Sequence, residues 1–261
     1  MSEETTQKKR ILIGAGVAGG ILVVLGAIIA LQFLGKPLQY QYTEAKRAVD
    51  ETAKVQAASV AATNAYFAAI SNADGPANTN PNSMVDGAKK LDEQTESLSR
   101  LPGIYKDDQL KAGYTAYQKN EQGYSADVRA VAESLRQTAT AKNACTKQTF
   151  EKAYGSTDST DARRIFSPCL KAMLAIDLGK VADADYKTLL VGIRKAYNDY
   201  DKALGSGEGI EDAKTAISVV SANARTVDSK VQQRLQERAS KLDISALQES
   251  LARKTAAGNK K

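Results

Sequence analysis

The chain contains no histidine and no tryptophan, and only two cysteines, four phenylalanines and five prolines among 261 residues. Lacking histidine, it has neither the commonest general base nor the commonest zinc ligand. The shortage of large aromatics, in a sequence whose 43% hydrophobic content leans on alanine, suits packed helices and is poor material for strands. Charge of one sign is not concentrated anywhere: the excess of six basic groups is spread along the chain and alternates with acids. A nucleic-acid binder would gather Lys and Arg on one face with aromatics for stacking, so no nucleic-acid partner is expected.

Motifs that carry chemistry are missing as well. There is no GxSxG and no P-loop, and Ser206, in GSGEG, has no preceding strand and no histidine to activate it. The acidic pairs Asp183/Asp185 and Asp199/Asp201 lack the ligand count, glycine and closing glutamate of an EF-hand loop, and read as solvated helix-face charge. No carboxylate pair of the kind a cell-wall hydrolase needs is identifiable. The expectation is a protein that is not an enzyme, with no cofactor and no metal.

What is present begins with residues 11–34, ILIGAGVAGGILVVLGAIIALQFL, uncharged throughout, with Gln32 the one amide. As a helix it is long enough for a hydrocarbon core of roughly 30 Å. A cleaved secretory signal would have a shorter apolar region and a small-residue cleavage site, and residues 28–35 offer none, so a retained transmembrane helix is expected. Lys8, Lys9 and Arg10 precede it and only Lys36 follows closely, which places the stub 1–10 in the cytoplasm and exports the rest. Tyr40 and Tyr42, just past the run, suit a headgroup interface or the start of a packed helix. Gly16 and Gly20 form a GxxxG that would let a second membrane helix approach, by self-association or with another protein.

Cys145 and Cys169 are an even number of cysteines in an exported region, which reads as one disulfide. With no histidine to complete a zinc site and no CxxC, the bridge is expected to be structural.

Downstream, a helical run extends to about residue 73, with Tyr42, Ala45, Val49, Ala53, Val60, Phe67 and Ile70 at three-to-four spacing. The turn-rich stretch 74–83, DGPANTNPNS, ends it. A second helix over 84–100 buries Ala88, Leu91 and Leu98 and stops at Leu-Pro-Gly 101–103. Over 107–140, Leu110, Tyr114, Tyr117, Glu121, Tyr124, Val128, Val131, Leu135 and Thr138 alternate steps of four and three, a stripe that must be covered. This helix is expected to continue through Cys145 to Tyr154, capped by Gly155. Ser167-Pro168 resembles an N-cap and first helical position. Another helix over 182–204 carries Tyr186, Leu190, Ile193, Tyr197, Tyr200 and Leu204, and GSGEG at 205–209 breaks it. A last helix, 210–252, carries Ile210, Ala213, Ile217, Val220, Ala224, Val227 and Val231, then shifts phase to Leu235, Leu242, Leu247 and Leu251. The basic tail 253–261 is expected to be disordered.

The fold class is therefore all-α: an N-terminal transmembrane helix, 11–34, then an extracytoplasmic antiparallel bundle over 35–252 of about four long and one or two short helices. Tyr114, Tyr117 and Tyr124, with Glu121 among them, form either a ligand slot or ordinary core; Glu121 would need a partner if buried. The layout is similar to the helical periplasmic domains of bacterial chemoreceptors and sensor kinases, with a stub, a span and then a bundle. It departs from them in showing no second apolar run of about 18 residues to return through the membrane. Two functions are carried forward. One is a membrane-anchored scaffold or accessory subunit binding another protein of a bacterial envelope. The other is a ligand-binding sensory-type bundle without a signalling domain of its own.

Overall fold

A computed structural model describes residues 35–72 and 80–258, and every regular element among them is a helix. In chain order these are α1 (Gln39–Asn72), α2 (Asn82–Ser99), α3 (Pro102–Tyr105), α4 (Asp108–Ala144), α5 (Lys147–Gly155), α6 (Ser159–Leu174), α7 (Ala184–Ser206), α8 (Ile210–Ala239) and α9 (Ser245–Gly258). None is long and apolar enough to cross a membrane. The run 11–34, with Gly16 and Gly20, lies outside the described residues, as does most of the turn-rich stretch after α1.

Helix α4, 37 residues long, is the spine. At the α-helical rise it extends about 55 Å, too far for one set of neighbours to cover. Toward Asp107 it packs against α1, α2, α3 and α9, toward Cys145 against α6 and α7, and α8 runs beside it from Gly123 to Lys142. All nine positions of the four-three stripe, Leu110 through Thr138, are buried. Helix α1 runs parallel to α4: Tyr42 donates to Asp107 (2.9 Å), Tyr117 to Gln56 (3.0 Å), and the Thr63 and Tyr124 hydroxyls meet at 3.0 Å. Helices α8 and α9 return antiparallel to α1, with Gln56 donating to the Leu242 carbonyl (2.6 Å), Gln248 to Asp50 (2.9 Å) and Gln39 to the Thr255 carbonyl (2.7 Å).

The helix ends follow local chemistry. Asp107, Thr146, Asp158 and Asp183 each accept backbone N–H groups at the starts of α4, α5, α6 and α7. Gly207 (φ 76°) and Gly209 (φ 70°) take left-handed conformations that a side chain would strain, and so turn α7 into α8. At Gly103, a methyl group would drive into the Gln41 carbonyl oxygen and come 2.9 Å from the Ala45 Cβ, so α1 crosses α3 directly over this glycine.

Four expectations are corrected. The helix expected to reach Tyr154 ends at Ala144, because Thr146 caps a new helix by accepting from the Thr149 N–H (3.2 Å). Ser167 and Pro168 do not start a helix: α6 begins nine residues earlier than expected, at Ser159, with Asp158 as its cap, and Pro168 lies inside it. The helix expected over 210–252 breaks at 240–244, where Asp243 accepts from both the N–H and the hydroxyl of Ser245. The shift of the leucine phase marks that break. Residues 253–258 are not disordered but complete α9, held where Lys254 pairs with Asp107. The bundle thus has more and shorter helices than the expected four long and one or two short.

Candidate functional site

The tyrosine stripe of α4 faces inward along its whole length. Tyr114, Tyr117 and Tyr124 are buried, and burial raises the pKa of each phenol. Glu121, between them, is 2% exposed and accepts a hydrogen bond from the Ser125 hydroxyl at 2.8 Å. Burial pushes its carboxyl above the usual carboxylate range, and the Ser125 donor offsets part of that. It borders a groove of about 380 Å³ between α2 and α4, lined also by Asp92, Thr95, Gln118 and Arg129. Arg129 pairs with Asp92 at its mouth, so the groove's cation is already engaged.

At the end of the bundle where the described chain begins, Tyr42, Asp107 and Lys254 form a contact between α1, the cap of α4 and α9. Burial, then Asp107, raises the Tyr42 phenol to about 12. Burial opposes the Asp107 charge, but Lys254, the Leu110 amide and Tyr42 hold its carboxyl below the usual range. Leu38 (54% exposed) and Tyr40 (58%) project from this same end.

The acidic pair Asp183/Asp185 departs from the solvated helix-face charge expected of it. Asp183 is 5% exposed; it caps α7 through the Asp185 and Tyr186 amides, and it pairs with Arg234 of α8. Asp185 takes Arg234 at 2.6 Å and Lys230 at 2.7 Å, with Lys230 the main cause of its lowered pKa. These ion pairs clamp α7 to α8. Asp199 and Asp201 pair separately, with Lys195 and Arg163 at 2.8 Å each. Among the described residues no group of three or more acidic or thiol side chains is arranged to hold a metal.

Cys145 and Cys169 stand at disulfide distance, joining the end of α4 to α6. Around them gather Phe150, Tyr154, Phe166, Tyr197 and Tyr200, with ring centroids 5.0–5.8 Å apart, mostly edge-to-face.

Beside this cluster lies a second cavity, of about 220 Å³, enclosed by the last third of α4, by α7 and α8, and by Met173 of α6. Its walls are mainly Ala141, Leu189, Leu190, Ile193, Tyr197 and Ala224, and its charged groups are Lys142 and Asp228. Asp228 accepts from the Tyr186 hydroxyl at 2.6 Å. Burial lowers the Lys142 ammonium, and the charge of Asp228 partly restores it. Neither residue stands out in the sequence as a site, although a signal exists: one further step of four from Thr138 reaches Lys142, a charge on an otherwise buried stripe. Asp228 likewise follows Ala224 by four.

No protein-family model, no curated protein and no solved structure matches the chain.

Proposed function

We propose that the protein is a membrane-anchored, extracytoplasmic helical scaffold or accessory subunit that binds another protein of a bacterial envelope. The observation that carries this reading is the middle of α8. Between Ile217 and Val231 no residue of this helix is buried, although Val220, Ala224 and Val227 continue its apolar stripe at half burial. On the same hairpin, Val219 is 55% exposed and Val191 of α7 is 52% exposed. An apolar helical surface left partly uncovered is suited to a helix-against-helix contact with a partner. The anchor rests on the uncharged run 11–34 with its basic flank, and on its position directly before the start of α1, where exposed Leu38 and Tyr40 suit an interfacial seat.

Photo-crosslinkers at Val191 and Val219 of the full-length protein, in its own membrane, test the reading against a control position at Lys119. One dominant envelope protein captured at the two valines but not at Lys119, and recovered again when that protein is the bait, is the expected result. An identical pattern at all three positions, or capture of nothing, overturns it. Deleting 11–34 is expected to release the protein from the membrane fraction.

A further inference from the structure

The cavity beneath the loosely covered part of α8 combines an apolar interior with one positive and one negative group, Lys142 and Asp228. We propose that it binds a small apolar zwitterion, of the class of the aliphatic and aromatic α-amino acids: the ligand carboxylate meets Lys142, its ammonium meets Asp228, and its side chain fills the space between Leu190, Ile193 and Ala224. This does not depend on the scaffold reading.

Size, charge and cover point to the same class. An engineered apolar cavity of about 150 Å³ takes one benzene, so 220 Å³ suits a body of leucine or phenylalanine size. Among the described residues Lys142 is within hydrogen-bonding or ion-pairing reach of no acceptor; its interaction with Asp228 is through space. Asp228 gives one oxygen, Oδ1, to Tyr186 and keeps Oδ2 for a second donor. A simple carboxylate would satisfy Lys142 but add a like charge beside Asp228, and a simple amine would do the reverse. A zwitterion answers both without changing the net charge of the site. The way in lies past α8, whose residues over the cavity are half-buried or exposed, Ser221, Ala224 and Asp228 among them.

Isothermal titration calorimetry on the full-length protein in detergent, with L-leucine and L-phenylalanine as probes, tests this. Leucine or phenylalanine is expected to bind with a Kd of about 1 mM or tighter, and glycine, isocaproate and isoamylamine at least about tenfold more weakly. Lys142→Met, which keeps the aliphatic stem, and Ala224→Leu, which keeps both charges and fills the space, are each expected to abolish the heat of binding while the protein still melts cooperatively. The proposal is overturned if neither amino acid binds the folded protein. It is equally overturned if the singly charged analogues bind as well as the amino acid, or if Ala224→Leu binds unchanged.

Discussion

The two ends of α4 are packed by different chemistry. Toward Asp107 its neighbours α1 and α2 come close through small and hydroxylated residues. Thr52, Ser59, Thr63 and Thr95 are buried there, and at the α1–α2 crossing a methyl on Gly87 would lie 3.1 Å from the Ser59 Cα. Toward Cys145 the interior is filled by rings, tied by the cysteine pair, and left incomplete around Lys142. Close backbone approach along α1 and α2 leaves, on this side, the polar groove between α2 and α4, whose cation is already paired with Asp92. Large rings cannot tile every gap, and a cavity lies beside the cluster where such packing ends. The edge-to-face ring cluster therefore lies in the same part of the molecule as the cavity that holds Lys142 and Asp228.

The contrast can be broken most strongly at the ring cluster. Phe166→Ala, which removes the ring packed against Phe150, Tyr197 and Tyr200, is expected to cost about 3–5 kcal/mol. Hydrogen exchange should show the loss first in α5, α6 and α7 and leave the α1–α2 pair protected; uniform loss would mean that the two regions unfold as one. Next in size is the cysteine pair. Replacing both with serine removes a closure across 24 positions, a loss of about 3 kcal/mol in the loop-entropy picture, and thermal melting without reductant measures it. On the opposite side, Gly103→Ala should cost about 1–3 kcal/mol by forcing α1 off α3. A neutral result there would show that the close approach is not needed.

The smallest effect is a gain, and its sign depends on pH. The Glu121 carboxyl has a folded-state pKa raised above its ordinary 4.5. Below that ordinary value it is protonated whether folded or not and costs nothing. As pH rises through the window up to the raised pKa, the unfolded chain ionises first and stability falls. Glu121→Gln, still able to accept from Ser125, is therefore expected to raise the melting temperature at neutral pH and to change little in acid. An equal shift at both extremes would show that the charge of Glu121 is not the cause.

Several features of the fold are legible in the sequence. The stripe from Leu110 to Thr138, the glycine break after Ser206, the stop at Leu101-Pro102 and the cysteine pairing are written in local patterns or in simple counting, because helical periodicity, capping and turn formation act over a few residues. The break at Cys145 is not, and the one at Ser240 shows only as a shift of leucine phase that also fits a continuous helix. There the chain ends a helix so that α5 reaches the ring cluster and α9 reaches α1. Pro168 misleads for the same reason: a residue suited to a first turn lies within a helix begun by Asp158 and packed through Phe166 and Cys169.

The sequence by itself determined that this chain makes helices, which face of each is apolar, and that an uncharged run long enough for a membrane precedes them. Only the tertiary structure decided which faces meet. It made Asp183 a buried cap paired with Arg234, placed Glu121 in the core, and brought Lys142 and Asp228, 86 positions apart, into the lining of one cavity. The physical reason is range. Periodicity and capping act over one or two turns, whereas the burial and pairing of a charge depend on residues that folding alone brings together.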